Sequence, residues 1–160
     1  MNGCDMLLNR RSEYAILGLI ALARKSANGE SSGYWDVGEI AADASVPPNL
    51  LRVLFYRLAK DGLLRSQRGV RGGFVLGRSP ERITVKDIVE SVQGPISPFS
   101  CVSTDDDPDD CDRYDSCELY GVLRRVRNRV VEELERNSLA DLVAVKQQES
   151  TSSKRGTFAA

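Results

Sequence analysis

At 160 residues, 41% of them hydrophobic, the chain suffices for one ordinary aliphatic-cored domain, or for a smaller one with a helical appendage. It contains no histidine, which excludes Ser/His/Asp and Cys/His nucleophilic sites and every histidine-containing metal site. The formal net charge of −1 averages two opposite segments: residues 45–78 hold seven Lys/Arg against one acid, and residues 95–120 hold eight acids against one arginine.

No stretch approaches the roughly 18 apolar residues of a membrane span, and "MNGCDMLLNRRSEYAILGLIALARK" carries charges within it and no cleavage-type end. A soluble cytoplasmic protein is expected. In chain order, "RRSEYAILGLIALARK" (10–25) places Tyr14, Leu17, Ile20 and Ala21 at helical spacing and predicts a buried first helix. After the turn "SANGESSG", a short helix is predicted at 37–44, bounded by Ser45. The next begins near Pro48, where a first turn tolerates proline, and turns Leu51, Leu54, Phe55 and Leu58 to one face before Gly62 caps it. "LLRSQ" and "FVLG" then have strand character around "RGVRGG", giving a hairpin with a glycine-rich tip. A turn and a short helix starting near Thr84 follow. No periodicity is present from Pro95 to Ser116; from Cys117 to about Glu135 it returns, with Leu119, Val122, Leu123, Val126, Val130, Val131 and Leu134 on one broad stripe. "SLADLVAV" suggests a further short turn, and the polar end of the chain suggests disorder.

Two helices, a tight turn and a glycine-tipped hairpin follow the order of a winged helix-turn-helix, which makes double-stranded DNA the expected partner. The fold class expected is mainly α with a small β-hairpin. The helix from Pro48 is then the reading helix, presenting Pro47, Asn49, Leu50, Arg52 and Val53 to the major groove, where Asn and Arg can pair with base edges. The hairpin tip is the wing: Arg68 and Arg71 supply charge to the backbone and minor groove, and glycine lets the main chain come close to phosphate. A nucleotide-phosphate loop is a poorer reading, because a strand follows the glycines and neither G-x-G-x-x-G nor G-x-x-x-x-G-K is present.

Cys101, Cys111 and Cys117 are spaced C-x9-C-x5-C, with no CxxC pair to suggest a zinc ribbon or thioredoxin-like chemistry. Three thiolates can hold an iron-sulfur cluster if a fourth ligand comes from elsewhere. Their spacing is equally compatible with buried small residues, a redox-labile disulfide or a merely soluble loop. "DDDPDD" lacks the glycine and distal glutamate of a calcium loop, so its expected effect is electrostatic repulsion of DNA.

Taken together, "LNRRSEYAILGLIALA", "LLRVLFYRLAKDGLLRSQRGVRGGFVLGR", "ITVKDIVESVQGPI", the three cysteines and the last helix resemble the IscR/NsrR family of bacterial winged helix-turn-helix iron-sulfur regulators, over about residues 6–145. The resemblance implies a homodimer paired through its long C-terminal helices, and a [2Fe-2S] or [4Fe-4S] cluster that adjusts DNA affinity to redox state, nitric oxide or iron-sulfur status. It divides the chain into a DNA-binding domain (6–94), a cluster loop (95–116), a dimerisation helix (117–145) and a tail (146–160). Cys101, Cys111 and Cys117 become cluster ligands. Relatives of one type carry a histidine three positions after the third cysteine, where this chain has Tyr120; relatives of another use a carboxylate on the first helix of the partner subunit, and Glu13 occupies that place, where an acid equally suits the helix dipole alone. Two departures stand out: the first cysteine interval is longer than usual, and Val70-Arg71 replaces the common Pro-Gly of the wing. Cys4 precedes the matched region and is read as spare. The alternatives are a small iron-sulfur or thiol redox enzyme, for which no acid/base or nucleophile constellation is visible, and a cluster-free DNA-binding or protein-interaction module.

Overall fold

The computed structural model describes residues 8–27, 33–69, 72–97, 102 and 116–144. Five α-helices and one antiparallel hairpin carry the architecture: α1 (Arg10–Ala27), α2 (Val37–Ala44), α3 (Pro48–Lys60), β1 (Leu64–Gln67), β2 (Gly73–Leu76), α4 (Val85–Gln93) and α5 (Tyr120–Arg136), with a 3₁₀ turn at Pro80–Arg82. Residues 139–144 form a further helical segment.

Local chemistry sets most of these boundaries. The Asn9 side chain accepts from the Ser12 amide at 3.0 Å and opens α1. Asp36 does the same for α2, accepting from the Gly38 amide at 2.7 Å. The α2–α3 turn is closed by Ser45 in the left-handed region (φ 54°), with the Val46 amide donating back to Ala41. Pro48 opens α3, where its missing N–H is not needed. Gly62 (φ 75°) ends it in a Schellman arrangement: the Gly62 amide donates to Ala59 and the Leu63 amide to Leu58. Helix α4 opens on a full capping box between Thr84 and Asp87.

The core lies where α1, α2 and α3 meet under the hairpin. Leu19, Leu22, Ile40, Leu51, Phe55, Leu58, Leu64 and Ile88 are all fully buried. Helix α1 lies so close to α3 that a Cβ on Gly18 would come within 2.5 Å of Leu51 Cδ1. The hairpin pairs Leu64 with Leu76 through Gln67 with Gly73, and Trp35 extends it by exchanging 2.9 Å backbone hydrogen bonds with Phe74. That extra bridge was not evident in the sequence. It explains part of the glycine run: a Cβ on Gly73 would meet the Trp35 carbonyl oxygen at 2.2 Å, and one on Gly72 the Gln67 carbonyl oxygen at 2.4 Å. Close packing within the wing therefore requires these two glycines irrespective of any phosphate.

A second, smaller apolar cluster of Val85, Val89 and Ile96 receives Val130, Val131 and Leu134 of α5. Helix α5 starts at Tyr120, so Cys117 sits one turn ahead of it, its carbonyl accepting from the Tyr120 amide. The expected single stripe is divided. Its C-terminal part packs on α4, whereas Leu119, Val122 and Val126 are exposed. The proposed tail and nearly all of the 95–116 loop beyond Ser97 lie outside the described residues.

Candidate nucleic-acid interface and cysteine site

On the reading helix, Pro47, Asn49, Arg52 and Val53 are exposed, as the winged helix-turn-helix reading requires. Leu50 differs from the expectation of a presented side chain. It is half-buried and packs against the main core, because it lies one turn before the inward-facing Leu54. In the wing, Gln67 and Arg68 are exposed and Gly69 (φ 112°) forms the open turn; Arg71 lies outside the described residues. A cleft of about 230 Å³ separates wing and reading helix, lined by Asp36, Arg52, Tyr56, Gln67, Arg68 and Phe74 among others.

Arg52 and Arg68, which line this cleft, form no ion pair among the described residues, nor do the exposed Arg57 and Arg65, so the cleft keeps its positive charge for an external anion. The one acid lining the cleft, Asp36, has a side-chain oxygen occupied by the α2 amide. Tyr56 is the residue that sequence reasoning missed. Its ring meets Phe74 edge-on at 5.3 Å, and Phe74 in turn meets Phe55 at 5.2 Å, so an aromatic run joins the reading helix to the wing. The available signal was an aromatic one turn after Arg52, off the apolar face.

Of the proposed cluster ligands, Cys117 is half-buried with a free thiol, and Cys101, Cys111 and the spare Cys4 lie outside the described residues. Glu13 is exposed in the first turn of α1, and its carboxylate has no hydrogen-bond or ion-pair partner among the described residues. Nearby Arg10 donates to the Tyr14 hydroxyl at 3.1 Å and stacks over its ring. That hydrogen bond, then the charges of Tyr14 and Glu13, raise the Arg10 pKa further above its ordinary value. No group of three or more metal-binding side chains converges among the described residues.

With this geometry in view, the chain matches over residues 8–145 a family model described as Rrf2, an iron-dependent transcriptional regulator. The chain belongs to the Rrf2 family. It is similar to the HTH-type transcriptional regulator CymR of Bacillus subtilis, 33% identical over 139 residues that span 87% of this chain and 91% of that one. It is also similar to the HTH-type transcriptional regulator IscR of Xenorhabdus nematophila, 29% identical over 86% of this chain and 79% of that one. Among solved structures, that of B. subtilis CymR, described as the global cysteine regulator, superposes with a TM-score of 0.64 over 86% of this chain and 96% of that one, at 33% identity. The T. potens IscR structure shares the fold with a TM-score of 0.65 over 98% of this chain and 95% of that one, at 22% identity. As an Rrf2 protein the chain is a DNA-binding transcriptional regulator, and the enzyme alternative falls away. No helix among the described residues is long and apolar enough to cross a membrane.

Proposed function

We propose that this Rrf2 protein is a cytoplasmic homodimer whose operator affinity is set by an iron-sulfur cluster. Cys101, Cys111 and Cys117 would hold the cluster, with Glu13 of the other protomer as fourth ligand. The observation that carries the reading is the donor set. Three cysteines fall between the winged domain and α5, the described one has a free thiol, and a carboxylate without a hydrogen-bond partner among the described residues stands in the first turn of α1. Thiolates suit iron-sulfur clusters, and a single oxygen donor would leave one iron more weakly held than the others. When bound, such a cluster supplies a group that oxidation or nitric oxide can alter.

The remaining work falls to the protein. Asn49 and Arg52 would read base edges, and Pro47 and Val53 would set the fit of the helix in the major groove, with Leu50 anchoring that helix to the core. Arg68 and Arg71 would hold phosphate and minor groove. Leu119, Val122 and Val126 would meet their counterparts across the dimer. Coupling is reciprocal, so a cluster that shifts DNA affinity by about 5 to 150-fold is itself stabilised or destabilised by DNA to the same degree, at a cost of about 1–3 kcal/mol.

A second reading, a regulator without a cluster, has its own support in the 33%-identical relative described as a cysteine regulator. Anaerobic purification separates the two. The cluster reading expects a coloured, iron-containing protein whose visible absorbance disappears in Cys111→Ala and changes in Glu13→Ala, with folding intact in both. A colourless, iron-free protein that binds operator equally well after loss of its thiols refutes it.

A further inference from the structure

The reading helix exposes an apolar pair, of which Tyr56 meets Phe74 through its ring edge and Val53 has no core contact to explain it. Val53 is 66% and Tyr56 52% exposed, and the other exposed large apolar side chains among the described residues are Leu119, Val122 and Val126, at and beyond the start of α5. Three positions apart on one helix, Val53 and Tyr56 are neighbours on its surface. They lie on the opposite side from Leu51, Leu54, Phe55 and Leu58, which do the packing. A β-branched valine also lowers helix propensity, so neither packing nor helix formation accounts for Val53.

Resting on the DNA-binding reading above, we propose that the Val53–Tyr56 face reads thymine methyl groups in the major groove. Valine has no donor or acceptor with which to read a base edge. The thymine C5-methyl is the apolar group that base edges present in that groove, and apolar contact is how it is read. The charge around the pair favours nucleic acid as its occupant: residues 45–78 hold seven Lys/Arg against one acid, and Arg52 and Arg57 flank the two side chains in sequence. Tyr56 acts as a positioning residue. Its edge-on contact with Phe74 at 5.3 Å fixes the ring beside Val53, so the apolar face is set before DNA arrives and little side-chain freedom is lost on binding.

The test uses the full-length protein, prepared without oxygen, and a duplex that it selects from a random-sequence library. Each thymine of the bound half-site is replaced singly by deoxyuridine, which removes only the methyl, and affinity is read by fluorescence anisotropy at fixed salt. At one or two positions the replacement weakens wild-type binding about fourfold, the worth of one buried carbon. In Val53→Ala, which melts at or slightly above the wild-type temperature because Val53 is exposed and alanine favours the helix, the thymine–uracil difference at those positions disappears. Uracil tolerated everywhere by the wild type, or a difference that persists in Val53→Ala, overturns the methyl reading while leaving DNA binding in place. Failure to select any duplex refutes the DNA-binding reading itself, and the methyl proposal with it.

Discussion

Arg68 and Gly18 show how different kinds of residue are tested. Arg68 is exposed at the wing with no ion pair among the described residues, so its charge belongs to whatever docks there. Arg68→Ala is expected to weaken binding to operator and unrelated duplexes alike, and to reduce the slope of log affinity against log salt by about 1, the signature of one lost phosphate contact. An unchanged salt slope would place the wing away from the backbone. Gly18, by contrast, is a packing residue. Alanine there would recover about 1 kcal/mol of helix propensity, which the overlap with Leu51 Cδ1 at 2.5 Å and Phe55 at 3.0 Å would cancel or exceed. Gly18→Val adds two more carbons against fully buried neighbours, and is expected to lower stability by about 2–3 kcal/mol in urea unfolding.

At the scale of elements, legibility follows locality. Boundaries set by chemistry within a few residues of the chain could be read directly: Pro48, whose missing N–H suits the start of α3, Gly62, whose positive φ ends it, and Thr84, whose side chain caps α4. Pairings between distant segments could not. Nothing near Trp35 announces its bridge to Phe74, and the turn of Leu50 towards the core depends on where α3 meets its neighbours. The stripe on α5 was legible as apolar, but its division between α4 and solvent is a tertiary fact. The 139–144 segment was foreseen only as a short turn. Its helical form is supported by a second local box, in which the Ser138 hydroxyl and amide donate to the Asp141 carboxylate and the Asp141 amide donates to the Ser138 hydroxyl. These bonds hold the Asp141 pKa below its ordinary value, the Ser138 hydroxyl first and its amide second. A lowered folded-state pKa means stability that is present above the unfolded value of about 3.9 and is lost as pH falls through the folded one. Asp141→Asn should therefore be less stable than the parent at neutral pH, and the gap in urea midpoint should close on acidification to below the folded pKa. A gap that is independent of pH would show that the box does not depend on charge.

Among the described residues, α1 touches α4, α3 and, through Lys25 and Trp35, the segment that bridges to the wing. Its first turn carries Glu13 and is tied to α4 where the Ser12 hydroxyl and Asn9 amide donate to Gln93 Oε1, at 2.8 and 3.2 Å. Its middle presses on α3 through Gly18. Its last turn places Lys25 over the Trp35 ring at 4.7 Å, beside the bridge to the wing. In the proposed mechanism, a shift of α1 imposed at Glu13 would reach reading helix and wing through these packed contacts. Such a shift would alter operator affinity most if two heads are held at a fixed spacing, which in the proposed dimer would depend on the exposed part of α5. Val122 and Val126, four residues apart, occupy one face of that helix and contribute to neither core cluster. Changing both to aspartate should convert a dimer into monomer in sedimentation velocity while leaving the winged domain's melting temperature unchanged. Because each half of a palindromic site would then be bound separately, operator affinity should fall sharply and binding to an isolated half-site should change little. A double variant that remains dimeric would move the interface off this face, and with it the geometry by which a cluster near Cys117 could set the spacing of the heads.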